Sequence, residues 1–163
     1  MTTQHNSISS AIRNNIRKLE LFTNLLDEEI DILVKHAKIH SLDKDEVLFR
    51  EGDDGDFFAI VIEGQIEITK NIENENPIVI ASLTKGATLG EMALVDYETR
   101  SASAIATEPT TIFLLSRQSF DTLVEQSPRC GVKLIRKIAT ILCSTIRRTS
   151  NLFADSVEPN QGQ

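Results

Sequence analysis

A chain of 163 residues, 40% of them hydrophobic, is long enough for one domain with its own core and too short for two. Its net charge of −7 argues against a protein that mainly neutralises nucleic acid phosphates, so we expect no direct DNA binding. The sequence lacks both a membrane-length apolar run and an apolar signal-peptide core near its start, and we therefore expect a cytoplasmic protein without membrane insertion.

The N-terminal part of the chain predicts a flexible arm followed by helices. Residues 1–10 are polar and show no periodicity, which is typical of a loose arm. Farther along, apolar residues recur three and four positions apart, and the acidic residues Asp27 and Glu28 suit the first turn of a helix. These patterns predict two helices within residues 11–40.

Alternation of apolar and polar residues replaces the helical spacing between residues 45 and 115. Turn-forming sequences, such as residues 51–56 and 74–77, separate the apolar segments. Six or more short strands are predicted, among them residues 47–49, 58–62, 65–69, 78–83, 101–107 and 110–115. Strands this short and this closely spaced predict a mainly β fold, either a sandwich or an antiparallel β-roll (a jelly-roll-like double-stranded β-helix), rather than a parallel sheet.

Helical spacing returns in the C-terminal part, where residues 116–153 are predicted to form two helices. Cys130 and Cys143 fall on the second of these helices and are too far apart to form a disulfide, which fits a reducing compartment. Residues 154–163 are polar and are predicted to be a disordered tail. The ordered domain is therefore expected to span residues 11–153.

One segment, residues 89–104, breaks the β pattern and carries the chemistry. It combines Gly90, a single helical turn and Arg100 at the entrance to a strand of small residues. The unpaired N–H groups of a helical turn and the forked donors of a guanidinium suit a compact anion such as phosphate. Gly90 lets a ligand approach the backbone, and Glu91 beside it can accept a hydrogen bond from a sugar hydroxyl.

This segment resembles the phosphate-binding cassette of cyclic-nucleotide-binding domains, as in protein kinase A regulatory subunits and the catabolite activator family. The glycine-glutamate pair Gly90-Glu91, the alanine at Ala93 and the arginine at Arg100 have the spacing of that family. The resemblance extends over residues 15–150, including the flanking helices.

The resemblance implies a stand-alone cyclic-nucleotide-binding sensor. Glu91 would accept a hydrogen bond from the ribose 2′-hydroxyl, and Arg100 would bind the cyclic phosphate. Ser101, which the bacterial activators share, favours cAMP over cGMP as the ligand. The implied ligand-binding residues are Gly90, Glu91, Met92, Ala93, Arg100, Ser101, Ala102, Thr145 and Arg148.

In that family the last helix closes over the base as a lid and often pairs with a second copy in bacterial members. Residues 143–152 are similar to this lid helix. Thr145 falls near the family's base-contacting threonine, and Arg148 is an alternative contact as a guanidinium plane over the purine. Because the activators continue from this helix into a DNA-reading domain and this chain does not, we expect signalling through an unidentified effector protein or a homodimer.

Other functional classes fit the sequence less well. A metal site in a β-roll needs histidines on the strands, but His5, His36 and His40 all precede the predicted strands. The glycine-rich stretch before Glu91 ends in that glutamate, where a nucleotide hydrolase has Lys-Ser or Lys-Thr. We expect no enzyme activity, metal or cofactor. The alternative function is that of a scaffold protein that kept the roll and lost the ligand, which the acidic loop at residues 96–98 favours.

Overall fold

The computed structural model describes residues 13–73 and 75–157. The predicted arm at residues 1–10 and the last part of the predicted tail, residues 158–163, lie outside the described residues. A short 3-10 helix, Glu20–Phe22, precedes three longer helices, which are α1 (Asp27–His36), α2 (Arg117–Gln126) and α3 (Pro128–Val157). Within the described part of the chain, no helix is both long enough and apolar enough to cross a bilayer.

Eight strands in the described residues form two four-stranded antiparallel sheets. They are β1 (Ala37–Leu42), β2 (Val47–Phe49), β3 (Phe57–Glu63), β4 (Ile66–Lys70), β5 (Ile78–Leu83), β6 (Thr88–Leu89), β7 (Ser103–Ala106) and β8 (Thr110–Ser116). The strand orders are β1-β8-β3-β6 in one sheet and β2-β7-β4-β5 in the other. Apart from the β4–β5 pair, consecutive strands fall in different sheets, as in a roll, and the predicted mainly β fold is confirmed.

The N-terminal helical region is shorter than its sequence predicts. Helix α1 ends at His36, and Ala37–Leu42 form strand β1 instead of a helix continuing to residue 40. The backbone groups of β1 are satisfied by an antiparallel ladder to β8, from Ala37 opposite Leu115 to Leu42 opposite Thr110. This tertiary pairing overrides the helical spacing of the sequence. His40 consequently lies on a strand rather than before the strand region.

Helix α3 is longer than predicted and continues through residues 154–157, where the sequence suggested a tail. These residues include neither glycine nor proline, and the next proline in the sequence is Pro159, so nothing in them interrupts a helix. The first half of α3 belongs to the core, with Cys130, Leu134 and Ile138 all buried. From residue 143 to residue 154, every side chain is exposed.

Two apolar cores hold the molecule together. The larger one joins the helices to the β1-β8-β3-β6 sheet. In it, the ring of Phe113 packs edge-on against the rings of Phe22 and Phe58, with 5.3 Å and 6.4 Å between the ring centres. The smaller one fills the roll between the sheets, with Val61 and Ile112 fully buried. The first half of α3 is therefore fixed to the roll, and the second half extends past the segment that contains Gly90 and Arg100.

Candidate ligand-binding site

The segment that resembles the cassette, residues 90–102, connects β6 to β7, and the geometry of its first turn depends on Gly90. This residue has φ +72°, and a Cβ at its position would lie 2.4 Å from Nη1 of Arg100. A side chain here would therefore collide with the guanidinium group, so only glycine fits. A 3-10 helix, Met92–Leu94, follows, and the loop then returns through Tyr97 at φ 60° to Arg100.

Arg100 is buried, with 5% of its surface exposed. Its guanidinium group lies between two aromatic rings, 4.2 Å from the ring centre of Phe49 and 4.4 Å from that of Phe57. Nη2 donates to the carbonyl oxygen of Phe57 at 2.8 Å, and Nη1 makes a longer contact of 3.4 Å with that of Gly90. Nε has no hydrogen-bond partner among the described residues. The rings and carbonyls thus fix the side chain while leaving part of its donor capacity unused.

The loop between β2 and β3, which includes Asp53 and Asp56, partly compensates the buried charge of Arg100. Burial lowers the pKa of the guanidinium group, and the carboxylates of Asp56 and Asp53 counteract this effect. The Asp56 carboxylate lies 4.0 Å from Nη2. The backbone N–H of Arg100 donates to the carbonyl oxygen of Asp53, and its carbonyl oxygen accepts from the N–H of Gly52, both at 2.8 Å. The loop and the arginine therefore form one hydrogen-bonded unit.

The carboxylate of Glu91 lacks the compensation that the aspartates give to the charge of Arg100. Burial raises the pKa of its carboxyl group, and its own backbone N–H and the charge of Arg100 only partly oppose that shift. Its Oε2 atom is buried and has no hydrogen-bond partner in the described part of the chain. An unsatisfied buried acceptor costs about 1–3 kcal/mol, so a ligand that donates a hydrogen bond here would relieve an existing penalty.

The residues after Arg100 are held by a network that the sequence did not reveal. Nζ of Lys70 donates to the carbonyl oxygen of Ser101 at 2.6 Å and to the carboxylate of Glu51 at 2.5 Å. The backbone N–H of Glu51 donates in turn to the hydroxyl of Ser103 at 2.9 Å. These contacts join β2, β4 and β7 beside the cassette. Because Lys70 and Ser101 are 31 residues apart, no local pattern in the sequence predicts this contact.

The remaining cassette residues that the resemblance implied differ in their surroundings. Met92 is 48% exposed and Ala102 is 7% exposed, while Ser101 is exposed. Ala93 lies in the 3-10 helix. The cassette thus offers backbone groups at the surface beside an arginine that is itself covered.

A cleft of about 420 Å³ lies between the roll and α3. Its walls are the N-terminal 3-10 helix, the turn at residues 86–88, Glu91, and one face of α3 that includes Thr145 and Arg148. The structure therefore brings Glu91, Thr145 and Arg148 to one cavity. Arg100 is not among the lining residues, because its guanidinium group lies behind Gly90.

Comparison with known proteins assigns the chain to a family. Residues 39–127 match the family model of the cyclic nucleotide-binding domain. A crystal structure of a cyclic nucleotide-binding domain from Methylobacillus flagellatus superposes with a TM-score of 0.80 at 27% identity, covering 96% of this chain and 88% of that one. The chain belongs to the cyclic nucleotide-binding domain family, whose fold is regulatory rather than catalytic.

Two relatives show how much of a longer protein such a domain represents. The human cGMP-dependent protein kinase 2 is 31% identical over 114 residues, which are 69% of this chain but 15% of the kinase. The cyclic AMP receptor protein of Thermus thermophilus is 30% identical over 119 residues, which are 73% of this chain and 55% of that protein. The similarity to the kinase is thus confined to a small part of its length.

Proposed function

We propose that this protein binds a cyclic purine monophosphate, with cAMP as the preferred ligand and cGMP as the alternative. The observation that carries the proposal is a pair of unsatisfied buried groups of opposite type, Oε2 of Glu91 and Nε of Arg100. A cyclic nucleotide supplies a partner to each, because its ribose hydroxyl is a donor and its phosphate oxygens are acceptors.

Binding of the phosphate is proposed to exchange one of the contacts of Arg100. Its 3.4 Å contact with the carbonyl oxygen of Gly90 is the weaker of its two carbonyl contacts, so exchanging it for a phosphate oxygen gains a charge-assisted bond. The backbone N–H groups of Met92 and Ala93 and the hydroxyl of Ser101 are proposed as further donors, beside Gly90 and Ala102. The rings of Phe49 and Phe57 keep the guanidinium group in place during this exchange.

The base is proposed to contact α3 through Thr145, with Arg148 lying over the purine face. Both residues line the cleft that contains Glu91, and both are exposed in its wall. Because they belong to the half of α3 outside the core, the ligand can shift the position of that half only through such contacts. Binding would therefore bias α3 towards a closed position over the base, and the altered helix surface is proposed to signal to an effector protein.

A homodimer through α3 is the proposed second route for the signal. Apolar and small residues on this helix alternate at three- and four-residue steps, the a/d spacing of a coiled coil, at Val132, Ile135, Ala139, Leu142, Ile146, Thr149 and Phe153. Four of them are strongly exposed large hydrophobic residues: Val132 at 50%, Ile135 at 44%, Ile146 at 63% and Phe153 at 69%. Pairing with a second copy would bury this stripe.

The proposed compartment is the cytoplasm. Cys130 and Cys143 are both free thiols on α3, the first buried and the second exposed. A reducing environment keeps an exposed thiol such as that of Cys143 from oxidation.

Calorimetric titration with cAMP and cGMP tests the proposal. We expect binding of at least one nucleotide, weakened by about 2–4 kcal/mol in Arg100→Ala because a desolvated charge-assisted contact is lost. Glu91→Gln replaces the charged acceptor for the ribose hydroxyl by a neutral amide oxygen and is also expected to weaken binding. Arg136→Ala is the matched control, since Arg136 is an exposed arginine of α3 that does not line the cleft.

Absence of binding by either nucleotide to the unmodified protein would refute the proposal and favour the scaffold function. The coupling to α3 is tested separately by amide hydrogen exchange of residues 127–150 with and without nucleotide. Slower exchange is expected on binding, and unchanged exchange in a protein that binds would contradict the role of the helix. Sedimentation at several concentrations, with Ile146→Asp as the variant, tests the dimer.

A further inference from the structure

A pair of opposite charges stands at one end of the cleft and has no part in the site described so far. Glu20 belongs to the N-terminal 3-10 helix and Lys137 to α3, and both line the cleft that contains Glu91. Oε1 of Glu20 and Nζ of Lys137 are 3.9 Å apart. The pair therefore spans the opening between the N-terminal segment and the lid helix.

This ion pair contributes little to stability. The side chain of Glu20 is 93% exposed and that of Lys137 is 27% exposed. Exposed pairs at such a distance are screened by solvent, and their attraction is largely offset by the entropy of fixing two long side chains. What distinguishes the pair is its position, because it places one acceptor and one donor 3.9 Å apart among the residues that line the cleft.

An adjacent acceptor and donor match one edge of adenine. That edge carries the N6 amino group, which donates, next to N7, which accepts. Guanine presents two acceptors on the same edge, O6 and N7. A carboxylate facing O6 would be repelled, whereas a carboxylate facing the N6 amino group accepts a hydrogen bond.

We propose that Glu20 and Lys137 read the edge of the purine and select adenine over guanine, Glu20 accepting from N6 and Lys137 donating to N7. This inference rests on the proposed function, since it concerns the base of the same ligand. It adds a specificity-determining residue from the N-terminal segment, Glu20, which lies 71 positions before Glu91 in the chain.

The position of the pair is compatible with the other contacts proposed for the base. Lys137 and Thr145 are eight residues apart on α3, which corresponds to about 12 Å along a helix axis. An extended lysine side chain and a purine ring together bridge such a span. Thr145 and Arg148 would then contact the ring from one end of the cleft while Glu20 and Lys137 face its edge from the other.

The decisive variant is Glu20→Lys, which replaces the acceptor by a second donor. Two donors suit O6 and N7 of guanine, so the ratio of cAMP affinity to cGMP affinity is expected to fall at least about tenfold. Glu20→Gln keeps an acceptor oxygen and is expected to retain the ratio within about threefold. Glu28→Lys is the control, because Glu28 is an exposed glutamate outside the cleft and undergoes the same change of charge.

The affinity ratio separates this inference from the proposed function. Any general attraction of the anionic ligand by an added lysine acts on both nucleotides and cancels in the ratio, as Glu28→Lys will show. A tenfold shift in Glu20→Lys alone supports the pair as the reader of the base. An equal ratio in Glu20→Lys and Glu28→Lys, in proteins that bind nucleotide, overturns this inference and leaves the proposed function standing. A native protein that binds neither nucleotide overturns both. Thermal unfolding of each variant verifies that it is folded.

Discussion

Glu29 and Glu91 each have one buried carboxylate oxygen without a hydrogen-bond partner among the described residues, Oε1 and Oε2 respectively, but the fold treats the two acids differently. Glu29 lies on α1, and its Oε2 atom accepts from Nζ of Lys133 at 2.5 Å and from the N–H of Leu26 at 2.7 Å. Burial alone would raise its pKa, but these two hydrogen bonds and the charge of Lys133 hold the pKa of Glu29 below its usual range. The pKa of Glu91 is raised, because burial outweighs its own N–H and the charge of Arg100.

The difference separates a structural acid from a candidate ligand-binding acid. The Glu29–Lys133 pair joins α1 to the half of α3 that is already part of the core, so its charges meet partners that do not move. Glu91 lines the cleft. The nearby guanidinium group of Arg100 donates its hydrogen bonds to backbone carbonyl oxygens and not to the carboxylate of Glu91. A carboxylate left in this condition costs stability in the folded protein, which is typical of a functional site.

The largest expected effect comes from removing the cation that pairs with Oε2 of Glu29. Lys133→Met leaves Glu29 buried with only the N–H of Leu26 as a donor, and we expect a loss of about 2–3 kcal/mol in the free energy of unfolding. The value lies below that of a fully buried pair because the Lys133 side chain is 26% exposed. Urea unfolding measures it, with the exposed Lys35→Met as control. A loss equal to that of the control would show that the pair is not structural.

Glu29→Gln is expected to cost less, about 1–2 kcal/mol. Here the ammonium group of Lys133 can turn towards water, whereas in the previous variant the carboxylate could not. Urea unfolding of both single variants and the double variant completes a cycle. Because the two residues act as a pair, the double variant should lose less stability than the sum of the single losses. Additive losses would contradict the pairing.

Local signals explain why the roll and the cassette were predictable. β3 and β8 are short apolar runs next to turn-forming residues such as Gly64 and Pro109, a pattern typical of buried strands. The cassette residues from Gly90 to Arg100 lie within eleven positions of one another. Ala37–Leu42 was misjudged because its conformation is set by β8, more than sixty residues later, rather than by its own spacing. In a segment of only six residues, the order of apolar and polar residues does not distinguish a strand from the end of a helix.

The contacts that complete the site depend on long-range packing, which a single sequence does not display. Lys133 and Glu29 are 104 residues apart, and Lys70 reaches Ser101 across the sheet. Likewise, the burial of Arg100 between Phe49 and Phe57 follows from β2 and β3 meeting the cassette in space. The motif identified the arginine in the sequence, but its position behind Gly90 and its aromatic neighbours are visible only in the structure.

A smaller effect of opposite sign is expected at the unsatisfied acid. Glu91→Gln removes a buried charge that has no cation committed to it, so we expect the free energy of unfolding to rise by about 0.5–1 kcal/mol. The same variant is expected to weaken nucleotide binding. Urea unfolding and calorimetry on one preparation check both results. A loss of stability as large as that of Glu29→Gln would mean that Glu91 is also a structural acid.

The pH dependence of stability provides the finest test of the comparison. The pKa of Glu29 is lowered in the folded protein, so its contribution is present above its unfolded pKa of about 4.3 and is lost as the pH falls through the lower folded value. The pKa of Glu91 is raised, so its favourable contribution is complete below about pH 4.3 and is lost as the pH rises through the higher folded value. The two acids therefore act in different pH windows and in opposite directions.

Unfolding free energies of the native protein, Glu29→Gln and Glu91→Gln from pH 7 to pH 3 resolve these windows. Between pH 7 and about pH 4.3, the native protein should gain stability relative to Glu91→Gln as the solution is acidified, because protonation relieves the buried charge of Glu91. At lower pH the native protein should lose stability relative to Glu29→Gln, because protonation of Glu29 breaks its bond to Lys133. Glu28→Gln, at an exposed position, should follow the native curve throughout. If the curves of Glu91→Gln and the native protein run parallel across the whole range, the carboxyl of Glu91 is not held in an unfavourable environment, and the contrast between the two acids disappears.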